Sequence, residues 1–197
     1  AITDTAIYTV TPNANSCPGL PITVKVAVKP KALFSSNYND TVICSNESIP
    51  SIILNSSTTG ANFTWSFLSG ANILPVSGNG NNATVTSQSF NNTSSSASNV
   101  VYTFNSFYQN CPGETKIRTI TVNPRPGITN TPLYQSVCSG GNTNNINLTA
   151  TVNGTNFTWI AQSLNGVSGF QTSGTNVIPI QNLTYSGQDT GLVTYNI

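Results

Sequence analysis

Four cysteines, five carboxylates and six cations are the whole reactive inventory of this sequence, which contains no histidine. Without an imidazole there is no Ser-His-Asp or Cys-His nucleophile and no histidine metal site. Asp4, Asp40, Glu47, Glu114 and Asp189 are scattered along the chain. The cysteines are not: Cys17 and Cys111 each open the word Cys-Pro-Gly, Cys44 and Cys138 each open Cys-Ser, and both pairs lie 94 positions apart. The chemistry in reach is therefore thiol chemistry. Cysteines recurring in step read as disulfide candidates in a protein exported to an oxidising space. The chain reads as a non-enzyme that calls for no cofactor and no metal.

The elements that position these cysteines recur with them. Asn-Phe-Thr-Trp occurs at 62–65 and again at 156–159, carrying the only two tryptophans. Tyr8-Thr9-Val10 maps onto Tyr102-Thr103-Phe104, and Val26, Val28 and Pro30 map onto Ile120, Val122 and Pro124. Val193 to Ile197 match Val100 to Phe104 at an offset of 93, so one residue is lost in a loop. One period held over the whole chain marks an array. Residues 1–30 are the C-terminal strands of a truncated repeat, 31–124 a complete repeat, and 125–197 a third, truncated before its last strands. With no methionine present, the chain is expected to be a window onto a longer protein. No acid recurs at a matching position, and Lys25 and Lys116 fall at different points of the repeat, which argues against a repeated Lys–Asn isopeptide crosslink.

A unit of this size can close its own core. Only 6% of residues are charged, against about a quarter in ordinary globular chains, and Asn, Ser and Thr supply the polar surface instead. Net charge of +1 gives no electrostatic footprint for nucleic acid or an anionic membrane. Lys29, Lys31 and Arg125 lie near the joints and read as solvated linker residues. An apolar content of 37% argues against disorder, no run is long enough to span a bilayer, and no signal peptide falls in this window.

Apolar residues alternate with a period of two. Ile22, Val24, Val26 and Val28 share a face, as do Phe63, Trp65 and Phe67, Phe157 and Trp159, Tyr102 and Phe104, and Ile120 and Val122. Branched and aromatic residues suit a pleated, half-buried surface, and clusters such as SGNGNN and CSGGNTNN punctuate them as turns. Some seven short strands in roughly a hundred residues is the signature of an immunoglobulin-like sandwich. The fold class is all-β, with tandem sandwich repeats set head to tail. Trp65, Trp159, Tyr8, Tyr102 and Tyr195 are its expected core aromatics, the tryptophans as plugs rather than as sugar platforms. Pairing of Cys44 with Cys111 inside one repeat is the simple disulfide proposal, yet an ordinary sandwich holds them at opposite ends, and bonded Cα atoms lie within about 7 Å. Either a short first strand brings Cys44 across, or the bond joins neighbouring repeats; both stay open.

The words YTVTPNANSCPGLPITVKVAVKP, VICSNESI, NFTWSF and VVYTFNSFYQNCPGETKIRTITVNPRP together resemble the PKD-like repeats of giant Bacteroidota surface proteins, among them gliding-motility adhesins of the SprB kind. The resemblance covers essentially the whole chain and is specific to the repeat type rather than to one protein. It implies export by type IX secretion, residence at the outer surface associated with the outer membrane, and stalks that bear load. NFTWSF stands where animal polycystin PKD domains usually read Trp-Asp-Phe-Gly-Asp, so an acidic Ca²⁺ site of that kind is not expected. Asp4-Thr5-Ala6 and Asp40-Thr41-Val42 look like the Bacteroidota O-glycosylation sequon, which makes Thr5 and Thr41 candidate acceptors. Asn-x-Ser/Thr triplets, such as those at Asn62 and Asn156, arise by chance in so Asn/Thr-rich a chain.

Two functions fit. One is a strut: stalk repeats of a surface adhesin, stiffened by proline at the joints, whose partners are neighbouring repeats of the same chain and, through other regions, surface polysaccharide or the gliding machinery. The other is a carbohydrate- or surface-binding module using Phe107, Tyr108 and Phe170, aromatics that do not recur in step. The strut is favoured, because binding sites place aromatics on an exposed face beside polar groups and the repeated aromatics here belong to the alternating core.

Overall fold

The computed structural model describes residues 4–35 and 38–197. Every regular element among them is a strand, as the two-residue alternation requires. The chain divides into two compact units, Ala1–Pro124 and Arg125–Ile197.

In the first unit the long strands are β1 (Asp4–Val10), β2 (Ile22–Val28), β3 (Thr41–Cys44), β4 (Asn62–Ser69), β5 (Ser77–Gly80), β6 (Ser98–Tyr108) and β7 (Cys111–Asn123). Five of them make one sheet in the order β5-β4-β6-β7-β3. All its pairings are antiparallel except the last, where β3 runs parallel to β7. Short ladders lie over this sheet: Ser48–Ile49 with Gln88–Ser89, Ile52–Ile53 with Thr84–Val85, and Ile73–Leu74 with Asn91–Asn92. The result is a two-layered β-sandwich.

Asparagine makes the tight turns. β6 and β7 are joined by Gln109-Asn110, both left-handed with φ of 46° and 67°, the two-residue hairpin geometry that suits strand twist. Asn15-Ser16 repeats it at 49° and 65°. Each hairpin cysteine therefore follows directly on a turn, opposite Tyr108 or Ala14.

Aromatic rings fill the space between the layers. Phe67 lies 5.0 Å from Tyr102 and 5.4 Å from Phe90, while Phe104 lies 5.0 Å from Tyr38 and 5.8 Å from Tyr102. Val100, Tyr102, Phe104, Ile120 and Val122 are fully buried. Each aromatic pair contributes about 0.5–1.5 kcal/mol beyond its buried area, adding to the burial of the aliphatic core around it.

The second unit contains β8 (Thr158–Leu164), β9 (Ser173–Thr175) and β10 (Leu192–Asn196), ordered β9-β8-β10. Its core gathers Leu148, Phe157, Trp159, Ala161 and Ile178, with Tyr195 packed alongside. In both units the indole faces a cross-strand glycine, Trp65 opposite Gly80 and Trp159 opposite Gly174. A Cβ on either glycine would fall within 2.6 Å of ring atoms, so the small residue makes room for the plug. The residue lost between repeats falls just beyond this glycine. The Trp159 Nε1–H reaches the Val177 carbonyl at 3.0 Å, whereas the Trp65 Nε1–H meets Asn82 Oδ1 at 3.2 Å. Trp159 is buried, and Trp65 is half-buried against its core.

Tyr8 departs from expectation. It is 57% exposed because β1 pairs only with β2 in a two-stranded sheet, while Tyr102 at the corresponding place is flanked by β4 and roofed by Phe90.

The two inner tyrosines differ in their hydroxyls. Tyr195 Oη donates to Gln181 Oε1 at 3.0 Å, whereas Tyr102 Oη is buried without a hydrogen-bond partner. Burial raises the Tyr102 phenol from the usual 10.0 to about 12, against a smaller lowering by Arg118. Tyr102→Phe is expected to leave the first unit as stable or more stable, and Tyr195→Phe to destabilise the second by about 1 kcal/mol. Between pH 10 and about 12 the unfolded phenol ionises before the folded one, so stability falls as pH rises. Tyr102→Phe should flatten that fall, measured by urea unfolding at stepped pH.

Candidate functional site

The Cys-Pro-Gly word builds one end of the first unit. Ser106, buried on β6, donates through Oγ to the Ala32 carbonyl at 2.8 Å. The Glu114 backbone N–H meets the same carbonyl at 2.9 Å, and the Phe34 N–H donates to Glu114 Oε2 at 2.9 Å. Lys116 Nζ lies 3.1 Å from Glu114 Oε1. The Phe34 N–H, then Lys116, hold the Glu114 carboxyl below its ordinary range. Gly113 is what lets the incoming strand come so near, since a Cβ there would sit 2.4 Å from both Ala32 O and Ser106 Oγ. The chain thus enters the sandwich clamped to the β6–β7 hairpin.

The Cys-Ser word builds the opposite end. Ser45 is the buried member: its N–H donates to the Asn123 carbonyl at 2.7 Å, and its Oγ accepts from the Asn92 N–H at 2.9 Å. Asn92 Nδ2 in turn donates to the Val122 carbonyl at 2.8 Å. In the second unit, Ser139 Oγ accepts from the Tyr185 N–H and donates to the Tyr185 carbonyl, both at 2.9 Å. Glu114 and Asn123 lie nine residues apart on β7, about 30 Å at strand rise. The chain therefore enters at one pole and leaves at the other. Next to the exit, β3 and β7 lie parallel, pairing Thr41 with Ile120 and Cys44 with Asn123.

This polarity decides one cysteine pairing. Cys44 sits beside Asn123, and Cys111 begins β7 twelve residues earlier, about 40 Å away. A bond between them inside one repeat is excluded by distance. Cys17, Cys44 and Cys138 are free and exposed, and Cys111 is free and half-buried.

The other candidate residues are dispersed. Phe107 and Tyr108 are half-buried at the hairpin end, where Gln109 Nε2 donates to Tyr108 Oη at 3.3 Å. Phe170 belongs to the second unit and packs on its core. Thr5 is exposed; Thr41 is half-buried in β3, and the neighbouring Asp40 carboxylate accepts the Thr119 N–H at 2.7 Å. Thr64, Ser66, Asn79, Asn81 and Asn105 line a shallow open depression beside Trp65. Among the described residues no three potential metal ligands converge, and no helix is long and apolar enough to cross a membrane. Asn92 and Ser106 carry no signal in the sequence; Ser45 and Gly113 stand inside the repeated words, and Glu114, one of the five scattered acids, is placed by the clamp.

Residues 41–126 match the PKD-like domain family. The match takes in β3 through β7 and both words that build the poles, and it covers less than half of the 197 residues. No curated protein matched the sequence. Among solved structures, the chain resembles the two immunoglobulin domains of DIP-gamma (IG1+IG2) at 11% identity and a TM-score of 0.36, over 84% of this chain and 95% of that one. It also resembles a chain of the CsuC-CsuE chaperone–tip adhesion subunit pre-assembly complex from the archaic chaperone-usher Csu pili of Acinetobacter baumannii, at 10% identity and a TM-score of 0.27, over 83% and 99%. Scores this low establish no shared arrangement.

Gly113→Ala is expected to destabilise the first unit by about 1–3 kcal/mol through overpacking at the clamp, read as a lower urea midpoint at unchanged slope. Glu114→Gln tests the clamp's charge. Because the folded carboxyl is depressed, its contribution is present above the ordinary carboxylate range and is lost as pH falls through the depressed value. The variant should lose that acid-side dependence, measured by thermal unfolding at stepped pH.

Proposed function

We propose that this chain is a set of stalk repeats from a large secreted surface adhesin, of the kind carried by gliding Bacteroidota and exported by type IX secretion. Immunoglobulin-like and PKD-like domains are typical of extracellular and surface proteins, and a cell-surface adhesion-type module is the coarse reading the PKD-like match favours. The observation that carries the strut is the polarity of the first unit. Tension applied through Lys31 and Pro124 pulls β3 and β7 lengthwise in opposite directions, so their parallel hydrogen bonds resist together in shear instead of parting one by one. The Ala32 clamp lies in series with that ladder. In a tandem array the cysteine pairing left by this geometry joins consecutive repeats, and Thr5 and Thr41 are the proposed glycan acceptors.

Single-molecule pulling of the full chain tests this. The first unit should yield in one high-force step, and Ile43→Pro, which removes a β3 donor on the same edge as the Ser45 N–H that reaches the Asn123 carbonyl, should lower that force clearly. Peeling at low force, unaffected by Ile43→Pro, would end the strut reading. The binder alternative draws on the polar depression beside Trp65. Saturable glycan binding abolished by Asn79→Ala, Phe107→Ala or Tyr108→Ala would favour it instead.

A further inference from the structure

Each cysteine word presents its thiol in the same way in both of its copies. In the Cys-Ser word the Glu47 N–H donates to the Cys44 carbonyl at 3.0 Å around left-handed Asn46. One period later the Gly141 N–H donates to the Cys138 carbonyl at 2.8 Å around left-handed Gly140. Glu47 Oε2 also accepts the Cys44 N–H at 2.9 Å, which fixes this cysteine at the exit pole. In the Cys-Pro-Gly word, Cys17 and Cys111 each follow two left-handed residues. Cys44 is exposed and Cys111 half-buried, so neither is sealed in a core. Within one repeat they stand about 40 Å apart along β7.

The joint between repeats brings one kind of cysteine to the other. Lys29 stands where Asn123 stands one period later, and Asn123 pairs with Cys44. Lys29 therefore marks the strand position beside a Cys-Ser cysteine. Its Nζ donates to the Gln109 carbonyl at 3.1 Å, and Gln109 lies two residues before Cys111. Only Pro30 and Lys31 separate Lys29 from Ala32, whose carbonyl is held by Ser106 Oγ and the Glu114 N–H. Thr58 Oγ1 holds the Lys31 carbonyl as well, at 3.2 Å. Even fully extended, Lys29 to Ala32 spans about 11 Å, so the end of one repeat is kept that close to the β6–β7 hairpin of the next.

We propose that each Cys-Ser cysteine forms a disulfide with the Cys-Pro-Gly cysteine of the following repeat, and that these bonds make the array nearly inextensible. This rests on the tandem-array reading of the chain and adds the identity of the pair and its mechanical consequence. The bond forms by exchange with a low-molecular-weight disulfide. One cysteine thiolate attacks it and a small thiol leaves; the second cysteine thiolate then displaces the other small thiol. Two protein thiols and one small disulfide become one protein disulfide and two small thiols. A covalent path then runs from Cys111 along β7 to Pro124, through residues 31–44 of the next repeat, and across its Cys44 to the repeat after. That path has about 27 Cα steps and spans about 90–97 Å when taut. The two folded repeats it crosses already span about 80 Å. Residues 45–110, which hold most of the core, lie off the path and carry no load. Without the bonds, each repeat of 94 residues that unfolds adds about 270–300 Å.

The test is the full chain with residues 31–124 inserted once more between Pro124 and Arg125, carrying Asn123→Lys in the first copy to keep the Lys29 contact at the new joint. The chain is treated with oxidised glutathione, and its non-reduced peptides are mapped by mass spectrometry. The expected result is a bond from Cys44 of the first copy to Cys111 of the second, abolished by Cys44→Ser in the first copy. Single-molecule pulling then reads the consequence. The reduced chain should show two steps of about 270–300 Å, which also report that both copies are folded, and oxidation should remove both. A bond within one copy overturns the proposal. So do Cys44 and Cys111 left unbonded to each other after oxidation, or full steps in the oxidised chain. Such a failure leaves the high-force yield of the reduced chain standing, whereas low-force peeling of the reduced chain sinks the strut and leaves the pairing intact.

Discussion

The first unit depends on β7 more than on any other element. This strand of 13 residues supplies the glycine and glutamate of the incoming clamp, two of the plugs that seal the aromatic core, and the parallel ladder to β3. At its far end its carbonyls receive Ser45 and Asn92. Remove it, and the core opens, the clamp loses its acceptor and β3 loses its only partner.

Where charge is scarce, neutral side chains supply the polar contacts. Asn92 satisfies Val122, Ser94 and Ser96 together, and Thr115 donates to Asn105 across the sheet at 2.7 Å. Such bonds are short-ranged and weakly dependent on salt, whereas exposed ion pairs are screened and contribute little. One ion pair, Lys116 with Glu114, sits at the clamp. There the carboxylate also holds a backbone N–H, so its charge fixes geometry as well as attracting a partner.

Alternation made the sheet legible in advance, because a two-residue period leaves one face for the core: Phe63, Phe67, Tyr102, Phe104, Ile120 and Val122 are all buried as their spacing implies. The same period misled at Tyr8, since alternation states which face a side chain occupies and not whether anything covers that face. The repeated words flag the poles through their cysteines, which are free. The residues that act are Gly113, which matters for the atoms it lacks, and Ser45, whose hydroxyl serves a main chain 47 positions away. Neither close approach nor a long-range backbone bond has a local sequence signature. Asp40 shows the same limit: read as part of a glycosylation triplet, its carboxylate is held by the Thr119 N–H.

The difference between β2 and β7 shows how small a change controls strand pairing. On its inner face β7 carries Lys116 and Arg118 before Ile120 and Val122, and Arg118 Nε donates to the Asn39 carbonyl at 2.8 Å. Inward-pointing charges of this kind discourage a strand from pairing in a foreign sheet, because the foreign core offers them no partner. β2 holds Ile22 and Val24 at the two corresponding places, and its one charge, Lys25, points to the other face. A β7 torn from its sheet would have to bury two cations to settle elsewhere; β2 carries no such penalty. Two strands with one pattern thus differ in pairing freedom through two side chains.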